Sequence, residues 1–311
     1  MARTSILLVA LAAACSSRPS SGALSVTDDW GRTVALAAPA HRIVSLSPAT
    51  TELLFAMGLG ARVVGRTRFD DWPAAARAVP SVGDGIAPSV EEVAARRPDL
   101  VLLYASAADR PALAGLTALH IPVAVLKLDV SAELLRAARL VGRLTGASRA
   151  ADSLVAAFDS SLAAVRARSA ARPGPRPRIY VDVWANPPMT VGRGSYLNEI
   201  LAAAGAVNVF GDVAAPSATV SLEAIAARDP DAILVIAADT AAEPDLAVRP
   251  GWRAVRAVRE GRILVVDAGL YGRPSPRMPE AAADLAARLA RLGAVSGPAA
   301  RPGDRAGGRA R

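Results

Sequence analysis

A chain of 311 residues is long enough for two domains of ordinary size, each with its own core. One cysteine excludes an internal disulfide, and a single cysteine with two histidines excludes a Cys/His zinc centre. The net charge of +8 includes a Gly/Pro-rich C-terminal run holding Arg301, Arg305, Arg309 and Arg311. No aromatic-interleaved basic face accompanies it, so the run reads as a solvated tail and nucleic acid is not an expected partner.

The chain begins with Arg3 and an apolar stretch at 6–14, too short to span a bilayer and followed by small residues before Cys15. That order is a secretory signal. A cysteine directly after such a cut resembles a bacterial lipoprotein signal, which implies that Cys15 is lipidated; Leu11 stands four places before it, one farther than usual. The expected location is therefore outside the cytoplasm, periplasmic or on the cell surface, with the membrane reached through the lipid alone. Residues 16–25, rich in Ser, Pro and Gly at their start, read as a flexible tether.

From residue 26 to 147 short apolar runs alternate with helical patterns. Residues 26–36 predict a hairpin turning at 29–31, and 42–46 a strand. Ser47-Pro48 opens a helix that stops at Gly58. A strand at 63–65 precedes a loop, 69–73, with Phe69, Asp70, Asp71 and Trp72. Residues 89–103 then read as helix, stop and strand: Ser89 as N-cap, Glu91 and Glu92 in the first turn, Pro98 as stop, and 100–104 as a strand buried on both faces. A helix at 111–119, a strand at 122–126 and a helix at 131–145, capped by Ser131 and closed by Gly146, complete a βα alternation, the signature of a mostly parallel sheet.

Residues 148–171 carry no Gly or Pro, and Leu154, Val155, Phe158, Leu162 and Val165 fall at helical spacing. One long helix ends at the R-P-G-P-R-P run, and a second alternating unit, 172–293, follows. Residues 221–235, S-L-E-A-I-A-A-R-D-P-D-A-I-L-V, repeat 89–103, with Glu223 at the place of Glu91. The chain thus predicts an α/β protein with two Rossmann-like lobes of mostly parallel sheet joined by one long helix, and a disordered basic tail at 294–311.

P-A-H-R-I-V-S-L-S-P-A-T-T-E-L-L-F-A-M-G at 39–58, V-E-E-V-A-A-R-R-P-D-L-V at 90–101, N-P-P-M-T-V-G at 186–192 and S-P-R at 275–277 resemble the class III periplasmic substrate-binding proteins. These are the receptors of ABC importers for vitamin B12, haem and ferric siderophores. The last two motifs are most similar to the vitamin B12 receptors of that family. The resemblance spans roughly 26–292. It implies a monomeric receptor, not an enzyme, that holds a cobalamin or another metal-chelate macrocycle between its lobes and has no cofactor of its own. It also implies docking onto a permease dimer through one glutamate on each lobe, here Glu91 and Glu223. Their equivalent places in two related lobes suit a two-fold partner; stabilisation of a helix N-terminus is the plainer explanation of each.

Flat macrocycles are held by apolar and stacking contact with a few polar anchors. The expected ligand-binding residues are Phe69, Trp72, Tyr104, Trp184, Tyr271 and Arg273, all read as loop or strand-end positions. Phe69, Tyr104 and Arg273 match contact positions of the B12 receptors by resemblance, and Trp184 is one place off. Where those receptors have tryptophans, this chain has 83–86 and 216–218 without them. Phe55, Phe158 and Phe210 read as core. A siderophore would ask for Arg66, Arg68, Arg193 and Arg273, and haem for an axial Tyr104 or Tyr271. His41 and His120 stand far apart, and no G-x-S-x-G elbow or P-loop favours an α/β enzyme. A structural cell-surface lipoprotein would explain the signal but not the paired glutamates.

Overall fold

The structure, a computed structural model, describes residues 24–85, 88–240 and 246–295. The expected signal, the expected lipidation site Cys15 and most of the basic tail lie outside these. The span expected to be tether is cut short, because a strand already begins at Leu24.

The first lobe opens with the hairpin β1 (Leu24–Thr27) and β2 (Thr33–Leu36). The carboxylate of Asp28 accepts the N–H groups of Trp30 and Arg32 at 3.0 and 2.9 Å and fixes the turn. There follow β3 (Ile43–Ser45), α1 (Pro48–Ala56), β4 (Val63–Gly65), α2 (Val90–Ala95), β5 (Leu100–Tyr104), α3 (Arg110–Ala118), β6 (Val123–Leu126) and α4 (Ser131–Thr145). The helix α5 (Ser148–Ala170) leads to the second lobe. That lobe runs β7 (Arg178–Asp182), β8 (Trp184–Ala185), β9 (Pro188–Val191), α6 (Tyr196–Ala203), β10 (Val207–Asn208), β11 (Ser217–Thr219), α7 (Leu222–Ala227), β12 (Ala232–Ala237), α8 (Arg256–Arg259), β13 (Ile263–Asp267), α9 (Ala268–Tyr271) and α10 (Met278–Val295).

Each lobe is built on a four-stranded parallel sheet, ordered β4-β3-β5-β6 in the first and β10-β7-β12-β13 in the second. The order is the same in both: the first strand is central, the next pairs on one side of it, and the third returns to the other side. The sequence repeat is therefore a repeat of fold. Ser89 and Ser221 each accept an N–H three residues on, at 3.1 and 3.2 Å. The chain leaves each helix through a left-handed residue, Arg97 and Asp229, directly before Pro98 and Pro230. Both prolines thus follow a turn already made rather than making it.

Two caps differ from expectation. Ser47 precedes α1 without a side-chain cap. Ser131 is the first residue of α4, and its N–H goes at 2.9 Å to the carboxylate of Glu199 in the other lobe, which takes over the capping role. Around Asn186–Pro188 the chain turns in a hairpin between β8 and β9, extended by β11 into a small antiparallel sheet. From Trp252 the chain makes a single 3-10 turn, which the extended backbone of Val255 separates from α8.

Ala151, Val155, Phe158, Leu162 and Val165 form the buried stripe of α5, packed against α4, α6 and α10. They belong to one apolar core that runs through both lobes. Burial at the expected 3.6-residue spacing makes the helix a shared wall of that core. Phe158 and Phe210 are buried, and Phe55 is half-buried against the same core.

Candidate functional site

A chain that leaves a parallel sheet on one side and re-enters on the other creates a crevice at the carboxyl ends of the two strands concerned. Here those strands are β3 and β5 in one lobe and β7 and β12 in the other. A cavity of about 400 Å³ lies where the two crevices face each other. Pro48, Ala49, Tyr104, Leu128 and Asp129 border it from the first lobe, and Val183, Val191, Tyr196, Leu197, Pro216 and Arg273 from the second. Larger hollows, about 480 Å³ between α5 and α10 and about 530 Å³ beside Trp30 and Arg110, are not bounded by the carboxyl end of a central strand.

Tyr104 ends β5 and is half-buried; its hydroxyl donates to Asp129 Oδ1 at 2.5 Å. Burial first, and then the Asp129 hydrogen bond and charge, push the phenol pKa well above its ordinary value. Tyr196 faces it from α6, with its hydroxyl donated to the Tyr271 carbonyl at 2.8 Å and its own pKa raised by burial. Both tyrosines are neutral, apolar-faced walls. The Tyr196 N–H also donates across the lobes to the Asp129 carbonyl at 2.9 Å.

Arg273 reaches the cavity from the second lobe, but its donors are already engaged. Nε donates to Glu52 Oε1 at 2.7 Å, and one terminal nitrogen pairs with Asp71. Arg277 donates to the other Glu52 oxygen at 3.0 Å and to the Gly269 carbonyl at 2.5 Å. Glu52, on α1, is 3% exposed. One buried carboxylate of the first lobe thus holds two arginines of the second in an inter-lobe clamp, and Arg273, expected as a ligand contact, borders the cavity with its guanidinium paired to carboxylates.

The loop carrying Phe69 and Trp72 is fastened to this clamp. Buried Asp70 accepts from the Thr51 hydroxyl at 2.5 Å and from both the N–H and the hydroxyl of Thr67, pinning the loop to α1. Burial raises the Asp70 pKa against the lowering effect of those bonds. The Arg277 guanidinium lies 4.2 Å from the centre of the Trp72 ring, and the Phe69 carbonyl accepts from Arg273 at 3.4 Å. Phe69 and Trp72 are 49% and 47% exposed, large aromatic area left in water beside the cavity rather than in its lining.

Two more expected contacts lie elsewhere. Trp184 is 63% exposed, one residue beyond Val183 of the lining, with its indole N–H given to the Asn186 carbonyl at 3.1 Å. Tyr271 is 1% exposed. The sequence places it in a cleft loop, but the single turn of α9 points it into the core, where its one hydroxyl proton is shared between the Ala281 carbonyl at 2.7 Å and the Asp284 carboxylate at 2.9 Å. It is corrected from a ligand contact to a core residue. Glu52, Arg277, Asp129 and Tyr196 were not singled out from sequence. The available signals are a glutamate inside the otherwise uncharged helix A-T-T-E-L-L-F-A and the place of Arg277 at the end of the S-P-R motif.

Gly192 brings the cavity wall together. A Cβ there would stand 2.2 Å from the Ala215 carbonyl oxygen and 2.4 Å from that of Val213, both backbone atoms. This close crossing sets Pro216 beside Val191 on the lining. Gly192→Ala is expected to cost about 1–3 kcal/mol by overpacking, read as a lowered midpoint in urea unfolding. An unchanged midpoint would mean that the 213–216 segment yields freely.

Glu91 and Glu223 are exposed in the first turns of α2 and α7. Each helix runs back along the strand that it feeds, so both carboxylates stand at the carboxyl-end side of their sheets, the side of the cavity. Both pKa values are lowered, for Glu91 chiefly by a backbone hydrogen bond and then by Ser89, and for Glu223 by Ser221 and then by a backbone bond. Among the described residues, no group of three His, Cys, Asp or Glu is placed to hold a metal ion.

The chain is 30% identical over 268 residues to the uncharacterized ABC transporter substrate-binding lipoprotein YvrC of Bacillus subtilis, covering 85% of this chain and 84% of that one. It is also 30% identical over 257 residues to the vitamin B12-binding protein of Salmonella typhimurium, covering 81% and 91%. The solved periplasmic heme-binding protein RhuT of Roseiflexus sp. RS-1 superposes with a TM-score of 0.72 at 26% identity, over 81% of this chain and 98% of that one. The periplasmic binding protein family model matches residues 43–270, both sheets and the helix between them. With its two parallel-sheet lobes and the crevice between them, the chain belongs to the periplasmic binding protein family.

Proposed function

We propose that this chain is an extracytoplasmic receptor of an ABC importer, and that it captures a corrinoid of the cobalamin type between its lobes and delivers it to the permease dimer. It acts as a monomer, held to the membrane through Cys15, and catalyses no reaction. The observation that carries the cargo is the state of the polar groups on an otherwise apolar cavity. Haem needs an axial ligand from the protein. Tyr104 has given its hydroxyl to Asp129 and is held protonated, and Tyr271 is inside the core. A siderophore complex with anionic groups needs free guanidinium groups. Those of Arg273 are spent on Glu52 and Asp71, Arg66 donates to three backbone carbonyls, and Arg68 lies 3.7 Å from Asp84, which leaves the exposed Arg193 as one guanidinium where such a complex asks for several. A corrinoid brings its metal already ligated and offers a broad face, which suits tyrosine and aliphatic walls beside the exposed Phe69 and Trp72. The naming of relatives as a substrate-binding lipoprotein and as vitamin B12-binding proteins supports the receptor role. A haem receptor is the second reading, favoured by the likeness to the heme-binding protein of Roseiflexus.

Calorimetric titration with cyanocobalamin, haemin and a ferric hydroxamate, with absorbance spectra, tests the cargo. One-to-one binding of cyanocobalamin is expected, weakened roughly tenfold by Tyr104→Ala and by Phe69→Ala. A Soret shift with haemin and silence with cyanocobalamin would give the receptor a different cargo.

A further inference from the structure

Two charged side chains border the cavity, Arg273 and Asp129. Arg273 and Arg277 are balanced by Glu52 and Asp71, so that group contributes no net charge. Asp129 is not balanced. One of its oxygens accepts from the neutral Tyr104 hydroxyl, and among the described residues no lysine or arginine pairs with it. Lys127, two residues before it, is exposed and makes no ion pair with it, and Glu133, four residues on, is a second carboxylate that accepts the Asp129 N–H at 2.8 Å. The raised phenol pKa of Tyr104 reports the same field, since after burial its causes are Asp129, Glu133 and Asp109, all negative. The position of Asp129 is fixed from both lobes: its N–H is held by Glu133, and its carbonyl by the Tyr196 N–H at 2.9 Å. A carboxylate held this way needs no reorganisation to meet a ligand.

A half-buried, unpaired carboxylate on a low-dielectric wall attracts N–H donors and repels other carboxylates more strongly than it would in water. We propose that Asp129 is the specificity-determining group of the cleft: it accepts N–H donors from amides on the rim of the bound macrocycle and rejects macrocycles that carry a carboxylate there. The inference rests on the corrinoid reading and narrows it to amidated corrinoids, as against their acid forms. The discrimination is by repulsion of the wrong ligand as much as by attraction of the right one.

The test compares cyanocobalamin with its three separable monocarboxylic acids, each lacking one peripheral amide, by calorimetry at pH 7.5. The full chain should bind cyanocobalamin at least tenfold more tightly than one or more of the acids. Asp129→Asn keeps the shape and an acceptor for Tyr104, and should reduce that ratio to about threefold or less. Asp152→Asn, which removes an equal charge from the exposed face of α5, should leave it unchanged. Equal binding of all four corrinoids by the parent protein would overturn the proposal while leaving the corrinoid reading intact. An unaltered ratio in Asp129→Asn, with the variant melting as the parent does, would also overturn it. Silence towards all four would overturn the corrinoid reading and this inference with it.

Discussion

Glu52→Ala is expected to destabilise the protein by about 3–5 kcal/mol, because it leaves two guanidinium groups at a half-closed inter-lobe contact without their shared buried carboxylate. Glu52 and the two arginines are 2% and 16% exposed at their side chains, so little water is available to replace the lost partner. Arg273 keeps Asp71, which places the loss toward the lower end of that range. The consequence extends beyond stability. Arg277 would lose its anchor over the Trp72 ring, and Arg273 its hold on the Phe69 carbonyl, so the aromatic loop should gain freedom. Urea unfolding followed by fluorescence measures the first effect, and cyanocobalamin affinity the second. Asp152→Ala serves as the contrast: its pair with Arg139 spans 3.8 Å with both side chains more than half exposed, and pairs of that kind contribute little. A loss under about 1 kcal/mol in Glu52→Ala would show that the clamp is offset by its own desolvation and can be dispensed with.

The two-lobed architecture was legible from the sequence because the signals that encode it are local. Ser89 and Ser221 cap, the strands of the repeat are continuous apolar runs, and α5 carries its stripe at an unbroken helical period. The clamp was not legible, because Glu52 and Arg273 are 221 residues apart and neither changes a local pattern. Most of α1 is buried, so no polar face marks where its glutamate points; only the cost of burying a charge hints that a partner must exist. Tyr271 failed for the converse reason. Its neighbours Gly272 and Pro274 read as a loop, and a four-residue helix is too short to show periodicity, yet that one turn decides whether the ring meets the cleft or the core. Asp129 resembled an ordinary residue between a strand and a helix. Only the fold, by placing Tyr104 and Tyr196 against it, made its charge conspicuous.

Reversing the two glutamates proposed to dock, Glu91→Arg with Glu223→Arg, is expected to weaken engagement of the proposed importer about a hundredfold while leaving cyanocobalamin affinity unchanged. The argument is one of symmetry. The glutamates occupy equivalent first-turn positions on lobes of the same strand order, both exposed and both held ionised by their caps. A two-fold permease presents the same surface to each lobe, so each reversal should replace attraction by repulsion to a similar degree, roughly tenfold. Sites on separate lobes without shared partners should then multiply. ATPase stimulation of the importer in liposomes, titrated with the loaded receptor, gives the apparent affinity of each single and double variant. The parent's affinity should also fall as salt is raised, since exposed charges are screened. If both single reversals leave stimulation unchanged, the glutamates serve only their own helix dipoles, and the repeat of that position reflects local helix chemistry alone. If one reversal abolishes stimulation and the other has no effect, the receptor meets the permease through one lobe, and the symmetry of the fold is not used in docking.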